Sequence, residues 1–343
     1  MDVLFWNCRG ICNPSTWRAL KILISQHQPK LVFLIETKIR DEAEFDRLRR
    51  NLGFAHAEGV MSVGQARGLG LFWNDDLRVS VRQPSTAWFI DVVVDEGVGF
   101  VRWRFTGFYG NPNAADLQES WDLLKALSDE DSLPWVVLGD FNEILLALEK
   151  LDGRPRSENQ MRGFRDALGY AELADLGFYG CPYTWSDSET KVRLDRVVAT
   201  IAWSDAFAHS RVQHLPPSKS DHIPILLSIS SVPIRRKKRY HRFKFESLWL
   251  HHEGCHEIVH QQWGRPISGQ PMFLVSKKIE RTSIALDLWQ RSVFKNRHKV
   301  IMDIRVRLEA ILLVSLTPAL LIERGELMEQ LERLLSEEEL YWS

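Results

Sequence analysis

The sequence predicts an α/β (α+β layered) fold in which two packed mixed β-sheets are flanked by helices, followed by an α-helical tail. Two observations lead to this prediction. Across residues 1–230, short apolar runs of strand length alternate with segments of helical period, and several runs follow one another as hairpins. Beyond residue 245 only the helical period remains. Because sheets and helices each bury an apolar face, this pattern favours a four-layer sandwich with helices outside.

The composition excludes several classes of protein. The chain has 343 residues with an apolar fraction of 45%, enough for a sizeable core, and a net charge of −1. Its four cysteines form no CxxC pair, which favours a reducing compartment over a secreted disulfide scaffold. The chain begins MDVLFWN, without the pattern of a signal peptide, and no stretch reaches the ~20 apolar residues of a membrane helix. We expect an intracellular protein with no membrane partner.

The elements can be assigned in order along the first 230 residues. The first predicted helix follows an Asn-Pro-Ser start, and Gly53 closes the second. The predicted strands are DVLFWN, KLVFLIET, GLGLFWN, LRVSVRQ, WFIDVVV, GFVRWRFTGFYG, WVVLGD, YTWSD, VRLDRVV and IPILLSI. The predicted helices are STWRALKILISQHQ, DEAEFDRLRRNL, ADLQESWDLLKAL and SENQMRGFRDAL.

A change in composition predicts the domain boundary. Seven of the eleven residues 235–245 are Lys or Arg, and the chain after them carries Leu and Ile at steps of three and four. We therefore predict a first domain at 1–230, a basic linker at 231–245 and a helical spacer at 246–343, interrupted by Pro318.

Polar side chains recur where the predicted apolar strands stop. Each alone has an ordinary explanation: Gly-Asp is a turn with Asn142 as a helix cap, Glu36 an exposed strand end, and His222 a surface histidine. Together they offer the oxygen ligands that Mg²⁺ prefers and a group able to activate water, as phosphodiester hydrolysis requires. The set is Asn7, Glu36, Tyr109, Asp140, Asn142, Asp195, Ser220, Asp221 and His222.

Six motifs in order along residues 2–230 carry a resemblance to a known family. WNCRG, LIETK, GFYG, LGDFN, RLD and SDHIP resemble those of the deoxyribonuclease I-like endonuclease/exonuclease/phosphatase superfamily. On the metal side, the resemblance implies that Glu36 holds Mg²⁺ (or Mn²⁺) with Asn7 beside it, and that Asp221 lies near the metal. One departure from some DNA-repair relatives is Arg9, which stands where they have an acidic residue. It puts a second metal position in doubt and indicates a phosphate contact instead.

The resemblance also implies the catalytic roles. Asp140 activates the attacking water and Asn142 orients it. His222 binds and polarises the scissile phosphate, oriented by Asp195, while Tyr109 hydrogen-bonds a phosphate oxygen. Under this interpretation Asp140 and Asn142 are catalytic rather than a turn and a cap.

Within the superfamily, the sequence resembles plant LINE-type (non-LTR) retrotransposon polyproteins. MDVLFWNCRGI, GDFNEIL, GRPRSENQM, DLGFYGCPYTWSD and HLPPSKSDHIPILL resemble their endonuclease domain, and RFKFESLWLHHEGCHEIVHQQW resembles the spacer before their reverse transcriptase. No aromatic-x-Asp-Asp polymerase signature follows residue 240, so we expect a chain truncated before the transcriptase, or a domesticated element.

One further motif points to zinc. HEIVH matches H-E-x-x-H, in which His256 and His260 could share a helix face with Glu257 as base. No third ligand stands at the usual downstream offset, and a histidine pair on an exposed helix is common, so we expect no zinc at His256 and His260.

The basic segment has three possible roles: a solvated linker, a nuclear-localisation patch or a nucleic-acid contact. Its place beside a nuclease-like domain favours contacts to the phosphates of DNA and a nuclear location. The residues concerned are Arg235, Arg236, Lys237, Lys238 and Arg239.

Three functions stay open at this point. The first is a Mg²⁺-dependent DNA endonuclease of retrotransposon type that nicks one strand and exposes a 3′ hydroxyl. The second keeps the fold but hydrolyses a small phosphoester, such as an inositol or nucleotide phosphate. The third is a catalytically inactive relic that binds nucleic acid through its basic segment.

Overall fold

The computed structural model describes residues 1–63, 67–82, 84–97, 101–230, 249–250, 253–266, 271–314 and 317–340. The strands within them are β1 (Asp2–Asn7), β2 (Leu31–Ile35), β3 (His56–Val60), β4 (Leu69–Trp73), β5 (Arg78–Arg82), β6 (Phe89–Asp95), β7 (Trp103–Tyr109), β8 (Trp135–Asp140), β9 (Lys150–Leu151), β10 (Leu173–Asp175), β11 (Trp185–Ser186), β12 (Lys191–Val192), β13 (Asp195–Thr200), β14 (Arg211–His214) and β15 (Ile225–Ser228). The helices are α1 (Pro14–His27), α2 (Glu42–Leu52), α3 (Leu117–Ser128), α4 (Glu158–Tyr170), α5 (Ile201–Ala206), α6 (Glu253–Gly264), α7 (Pro271–Leu312) and α8 (Pro318–Leu340), with a 3₁₀ turn at Ala147–Glu149.

Two six-stranded mixed sheets form the framework. Sheet one has the order β14-β15-β1-β2-β4-β3, and sheet two the order β10-β13-β8-β7-β6-β5. Each sheet contains one parallel pair among its described strands, β1 with β2 and β7 with β8. A three-stranded sheet of order β11-β12-β9 is attached beside them.

The two sheets pack face to face over an aromatic core. Phe33 of β2 lies edge-on to Phe105 of β7, with ring centroids 6.1 Å apart. A Cβ added at Gly107 would come within 2.5 Å of the Phe33 ring, so the sheets meet closely at this point. Full burial of aromatic side chains from both sheets makes this layer the main apolar contribution to stability.

Helices cover both outer faces. The apolar stripes of α1 and α2, including Leu20 and Phe45, pack on sheet one. Those of α3 and α4 pack on sheet two, where Trp121 stacks on Phe164 at 4.5 Å. The predicted fold class, two mixed sheets flanked by helices and followed by C-terminal helices, is confirmed.

Local signals account for the helix ends. Asn13 accepts a hydrogen bond from the Ser15 backbone N–H at 3.0 Å, with Pro14 in the first helical position. Gly53 ends α2 with φ +78°, a conformation that favours glycine. Both ends agree with the sequence prediction.

The segment predicted as one strand, VRLDRVV, is divided. Val192 belongs to the small sheet, and β13 of sheet two begins at Asp195. Between them, the backbone N–H groups of Leu194 and Asp195 donate to the Thr184 hydroxyl, at 3.0 Å and 2.9 Å. Because a side chain takes these donors, the chain can change sheets without leaving buried N–H groups unpaired.

The chain separates into two compact units. The first consists of Met1–Ile234 and Arg307–Met328, and the second of Arg235–Val306 and Glu329–Ser343. In the second unit, Trp249, Cys255 and Leu286 form a small apolar cluster. The domain boundaries predicted from the sequence stay a prediction, and the basic residues 235–239 lie outside the described residues. Among the described residues, no helix is both long and apolar enough to cross a membrane.

Candidate active site

The parallel pairs bring polar residues together at the carboxyl ends of their strands. In sheet one, Asn7 at the end of β1 pairs with Ile35 of β2, so Glu36 follows directly beside it. In sheet two, Tyr109 at the end of β7 pairs with Asp140 at the end of β8. Since the sheets face each other, all four side chains point into one buried space.

The Asn7 carboxamide connects the two sheets. Its Nδ2 donates to Glu36 Oε1 and to Asp140 Oδ2, both at 3.1 Å, and lies 3.3 Å from Nε2 of His222. Glu36 Oε1 also accepts a bond of 3.1 Å from the Tyr109 hydroxyl. Burial, and then the nearby Glu36 carboxylate, raise the pKa of Tyr109, so its hydroxyl remains a donor.

His222 and Asp195 form a buried pair. Nδ1 of the imidazole lies 2.8 Å from Asp195 Oδ2, and Nε2 lies 3.7 Å from Asp140 Oδ2. The antiparallel register of β13 and β8 sets Asp195 directly opposite Asp140. Because the Asp195 carboxylate accepts, Nδ1 carries a proton, and Nε2 is the nitrogen that faces the site.

The pKa values of His222 and Asp140 are both raised, for different reasons. Burial alone would lower the pKa of His222, but the carboxylates of Asp195 and Asp140 raise it to about 9. Burial, followed by repulsion from Asp195, raises the pKa of Asp140 to about 7. Near neutral pH the site therefore holds an imidazolium next to a carboxylate that can take up a proton.

Asp140 and Asn142 do form a turn, but Asn142 does not cap a helix. The Asn142 backbone N–H donates to Asp140 Oδ1 at 2.9 Å, and the residue has φ +55°. Its side-chain Nδ2 donates to the Gly110 carbonyl at 2.8 Å, which ties the ends of β8 and β7 together. The turn therefore fixes the orientation of the Asp140 carboxylate, and the catalytic roles of Asp140 and Asn142 stay a prediction.

Arg9 lies between two carboxylates at the rim. Its Nε is 3.2 Å from Asp221 Oδ1 and 3.6 Å from Glu36 Oε2, and its side chain is half-exposed. Asp221 Oδ2 also accepts from the Trp185 indole at 2.9 Å. Arg9 and Glu36 both have left-handed backbones, with φ +49° and +52°. Such conformations cost energy for non-glycine residues and persist only where the surrounding structure holds them in place.

The donor set fits a divalent cation on the Glu36 side. Asn7 Oδ1 is buried and has no hydrogen-bond partner within the described part of the chain. An unpaired amide oxygen beside a carboxylate is a donor set suited to a hard cation. Asp140, Asp195 and His222 also offer ligand atoms within 4.8 Å of one another, but the protonated His222 disfavours a cation among them.

Two features of the site were not predicted. The Thr184 hydroxyl holds the backbone next to Asp195, and the only sequence signal for it is a buried threonine within YTWSD. Gly139 precedes Asp140 because a Cβ there would lie 1.8 Å from the Phe108 carbonyl oxygen. Its signal is the Gly-Asp dipeptide at a strand end.

The other predicted residues lie elsewhere or are not described. His256 and His260 are exposed on α6, and His256 Nε2 donates to the Leu250 carbonyl at 2.7 Å. Neither belongs to a group of metal-ligating side chains among the residues that the structure describes. The absence of zinc there stays a prediction, and Arg235, Arg236, Lys237, Lys238 and Arg239 lie outside those residues.

Comparison with known proteins identifies the family. The model of the endonuclease/exonuclease/phosphatase family matches residues 4–222, which contain every strand-end residue of the site. The chain belongs to this family. Enzymes of the endonuclease/exonuclease/phosphatase family typically depend on a divalent metal ion, in agreement with the unpaired Asn7 Oδ1 beside the Glu36 carboxylate. No curated protein matches the sequence.

Solved structures with the same fold come from several kinds of nuclease. The 3′-5′ exonuclease (NExo) from Neisseria meningitidis has a TM-score of 0.52 and 18% identity, covering 67% of this chain and 100% of that one. An AP endonuclease from Archaeoglobus fulgidus gives 0.52 and 15%, over 67% and 99% of the two chains. The endonuclease domain of TRAS1, a telomere-specific non-LTR retrotransposon, gives 0.50 and 15%, over 67% and 97%. The fold and the family together support phosphoester hydrolysis as the general activity.

Proposed function

We propose that the protein is a Mg²⁺-dependent DNA endonuclease of retrotransposon type, which nicks one strand and leaves a 3′ hydroxyl. The observation that carries this proposal is the continuous set of contacts from Tyr109 through Glu36, Asn7 and Asp140 to His222. It places an unpaired amide oxygen, a basic carboxylate and an imidazolium around one buried space. These are the groups that hydrolysis of a phosphodiester requires.

Glu36 and Asn7 would hold the metal ion. Glu36 Oε2 and Asn7 Oδ1 supply the oxygens, with Asp221 near by at the rim. When bound, Mg²⁺ would neutralise charge on the phosphate. Arg9, which contacts both Glu36 and Asp221, would then be available to bind a phosphate oxygen.

Asp140 would act as the general base. Its carboxylate takes a proton from water, the water oxygen forms a bond to phosphorus, and the bond from phosphorus to the 3′ oxygen breaks. The leaving 3′ oxygen takes up a proton from a solvent water and is released as a hydroxyl, and a 5′ phosphate remains on the other side of the nick. A base with a pKa close to the working pH is well suited to this step. Asn142 fixes the Asp140 carboxylate through its backbone N–H and would orient the water.

His222 would bind and polarise the scissile phosphate. Nδ1–H is occupied by Asp195, so Nε2–H is the donor available for a phosphate oxygen. Developing charge on that oxygen is stabilised by a preorganised imidazolium. Tyr109 would donate to a second phosphate oxygen, since its hydroxyl is already placed 3.1 Å from Glu36 in the same space.

DNA is the proposed substrate. One structural neighbour is named as a retrotransposon endonuclease domain, and another is named as a phosphatase bound to product DNA hairpin. The basic residues 235–239 would contact backbone phosphates, and the same segment would direct the protein to the nucleus.

Supercoiled plasmid tests this proposal. Purified protein with Mg²⁺ should convert it to the nicked circle, and EDTA should stop the reaction. His222→Ala should lower the rate by ~10² or more, whereas His56→Ala, which removes an exposed surface imidazole, should not. Turnover of small phosphoesters without nicking would indicate a phosphatase, and DNA binding without hydrolysis would indicate an inactive relic.

A further inference from the structure

A short hairpin is hydrogen-bonded to the backbone beside both members of the His222–Asp195 pair. We call residues 184–192 the dyad hairpin, because β11 and β12 pair within it, Trp185 with Val192 and Ser186 with Lys191. Its first strand is bonded on both sides of His222. Ser186 N–H donates to the Asp221 carbonyl at 3.0 Å, and Ile223 N–H donates to the Thr184 carbonyl at 2.8 Å.

The same hairpin is bonded to the backbone at Asp195. The Thr184 hydroxyl accepts hydrogen bonds from the N–H groups of Leu194 and Asp195. One segment therefore sets the position of both backbones whose side chains form the 2.8 Å bond between Nδ1 and Oδ2. A shift of the dyad hairpin would change the alignment of His222 with Asp195.

A part of the tail packs beside this hairpin. Residues 307–328, the tail segment, belong to the same compact unit as Met1–Ile234, although the family model ends at residue 222. Leu312 at the end of α7 is 4% exposed and packs against Cys181 and Ile223, the residue that follows His222. This apolar contact joins the tail to the residue next to His222 in the chain.

Hydrogen bonds from two cationic side chains also join the tail segment to the hairpin. The buried ammonium of Lys191 donates to the carbonyls of Ile311 and Val314, the latter at 2.6 Å. The last carbonyls of a helix lack partners within it, so a cation there is favourable. At the turn of the hairpin, Arg324 Nη1 donates to the Asp187 carbonyl at 3.1 Å.

We propose that the tail segment is a positioning element for hydrolysis, acting through Leu312, Lys191 and Arg324. It holds the dyad hairpin in place, and the hairpin keeps the imidazole and the carboxylate aligned. The inference rests on the proposed function for its kinetic readout only. A catalytic group misplaced by about 1 Å can cost ~10² in rate, so a modest loosening of the hairpin is enough to be measured.

Adjacent leucines provide a matched test in the full chain. Leu312→Asp places a charge in the buried cluster, whereas Leu313→Asp places one on a side chain that is 56% exposed. We expect Leu312→Asp to lower the kcat of nicking by about 10- to 100-fold with little change in KM. Leu313→Asp and the conservative Leu312→Met should stay near wild type.

Hydrogen exchange supplies a readout that does not depend on activity. In Leu312→Asp, the amide protons of Ser186 and Ile223, which bond to carbonyls across the hairpin, should exchange faster than in wild type. If wild-type protein does not nick, the proposed function fails, and the exchange rates alone decide whether the tail holds the hairpin.

A second variant covers the case in which Leu312→Asp does not fold. Lys191→Met keeps most of the aliphatic part of the side chain but removes the ammonium that bonds the end of α7, and it should lower kcat and speed exchange in the same way. Wild-type kcat with faster exchange at Ser186 would overturn the positioning role. Unchanged exchange in either folded variant would show that the tail segment does not hold the hairpin.

Discussion

Two buried charge clusters lie on opposite sides of β13, and they differ in their balance of charge. Asp195 and Arg196 are adjacent on this strand, so their side chains point to opposite faces of the sheet. We call Asp140, Asp195 and His222 the site cluster. The paired cluster consists of Glu149, Asp175, Arg193 and Arg196.

The paired cluster is neutral. Each arginine contacts each carboxylate, with all four distances between 2.8 Å and 2.9 Å. Burial alone would raise the pKa of Glu149, but the hydrogen bond and charge of Arg196 hold it below its usual value. The pKa of Asp175 is lowered in the same way against burial, by Arg193 and Arg196. Ion pairs this close stabilise the charged forms of their partners.

The site cluster has two carboxylates and only one imidazole. The pKa of Asp140 is raised to about 7, chiefly by burial and then by Asp195, and Asp195 Oδ1 has no hydrogen-bond partner among the described residues. A buried carboxylate of this kind lowers stability unless a ligand uses it. An imbalance of charge, and not burial of charge as such, distinguishes the proposed catalytic cluster from the paired one.

The largest expected effect is on activity, from the site cluster. Asp140→Asn keeps the shape and an oxygen for the Asn142 N–H but removes the base, so nicking should fall by about 10²–10⁴. Its Tm should stay within a few degrees of wild type, because a raised-pKa carboxylate contributes little to folding. Plasmid nicking and thermal unfolding measure the two quantities, with the exposed Asp166→Asn as control. A loss of activity accompanied by a large drop in Tm would show that Asp140 is structural.

The paired cluster should show the opposite behaviour. Glu149→Gln removes one of two anions and leaves the buried Arg196 with a single partner, so unfolding free energy should fall by about 3–5 kcal/mol. Urea unfolding measures this, against the exposed Glu172→Gln. Protein that remains folded at low temperature should nick at close to the wild-type rate. An unchanged unfolding free energy would show that the paired cluster does not stabilise the fold.

His214 is a buried imidazole that belongs to neither cluster. Its Nδ1 donates to the Cys181 carbonyl at 2.6 Å and its ring stacks on Phe178, while burial lowers its pKa to about 4. The unfolded chain thus binds more protons between about pH 6.5 and 4, so stability from this group is present above that window and is lost as the pH falls. At a pH low enough to protonate His214 in the unfolded chain fully, but not in the folded one, the unfolding free energy would be lower by about 3 kcal/mol.

His214→Gln tests that assignment. It removes the titrating group, so the difference in unfolding free energy between wild type and variant should shrink as the pH falls from 7 to 4, when measured by urea unfolding at each pH. A difference that stays constant across this range would show that His214 does not titrate on unfolding.

The site residues could be found from sequence because they stand at strand ends. Asn7 and Asp140 each end an apolar run at the carboxyl end of a parallel pair, and His222 stands just before the apolar run of β15. Their roles come from the family resemblance and remain proposals. The fold class followed from periodicity, because apolar runs and helical stripes are properties of each segment alone.

Other features depend on contacts that no local pattern records. The edge strands His56–Val60 and Arg211–His214 were not predicted, because they are short and each pairs with a single strand among the described residues. The break inside VRLDRVV depends on the Thr184 hydroxyl, and the packing of Leu312 on Ile223 joins residues far apart in sequence. Such long-range partners carry no signal in the period of a single segment.

The most direct test of the account is an NMR titration of the His222 imidazole in metal-free wild-type protein and in Asp195→Asn, with the pH profile of nicking measured alongside. The account predicts a pKa of about 9 in wild type and a lower value in the variant, because the variant lacks the charge that favours imidazolium. Nicking by Asp195→Asn should be weaker and should lose activity at a lower pH, with Mg²⁺ affinity nearly unchanged. An unmoved His222 pKa and pH profile together with abolished Mg²⁺ binding would contradict it, because Asp195 would then be a metal ligand.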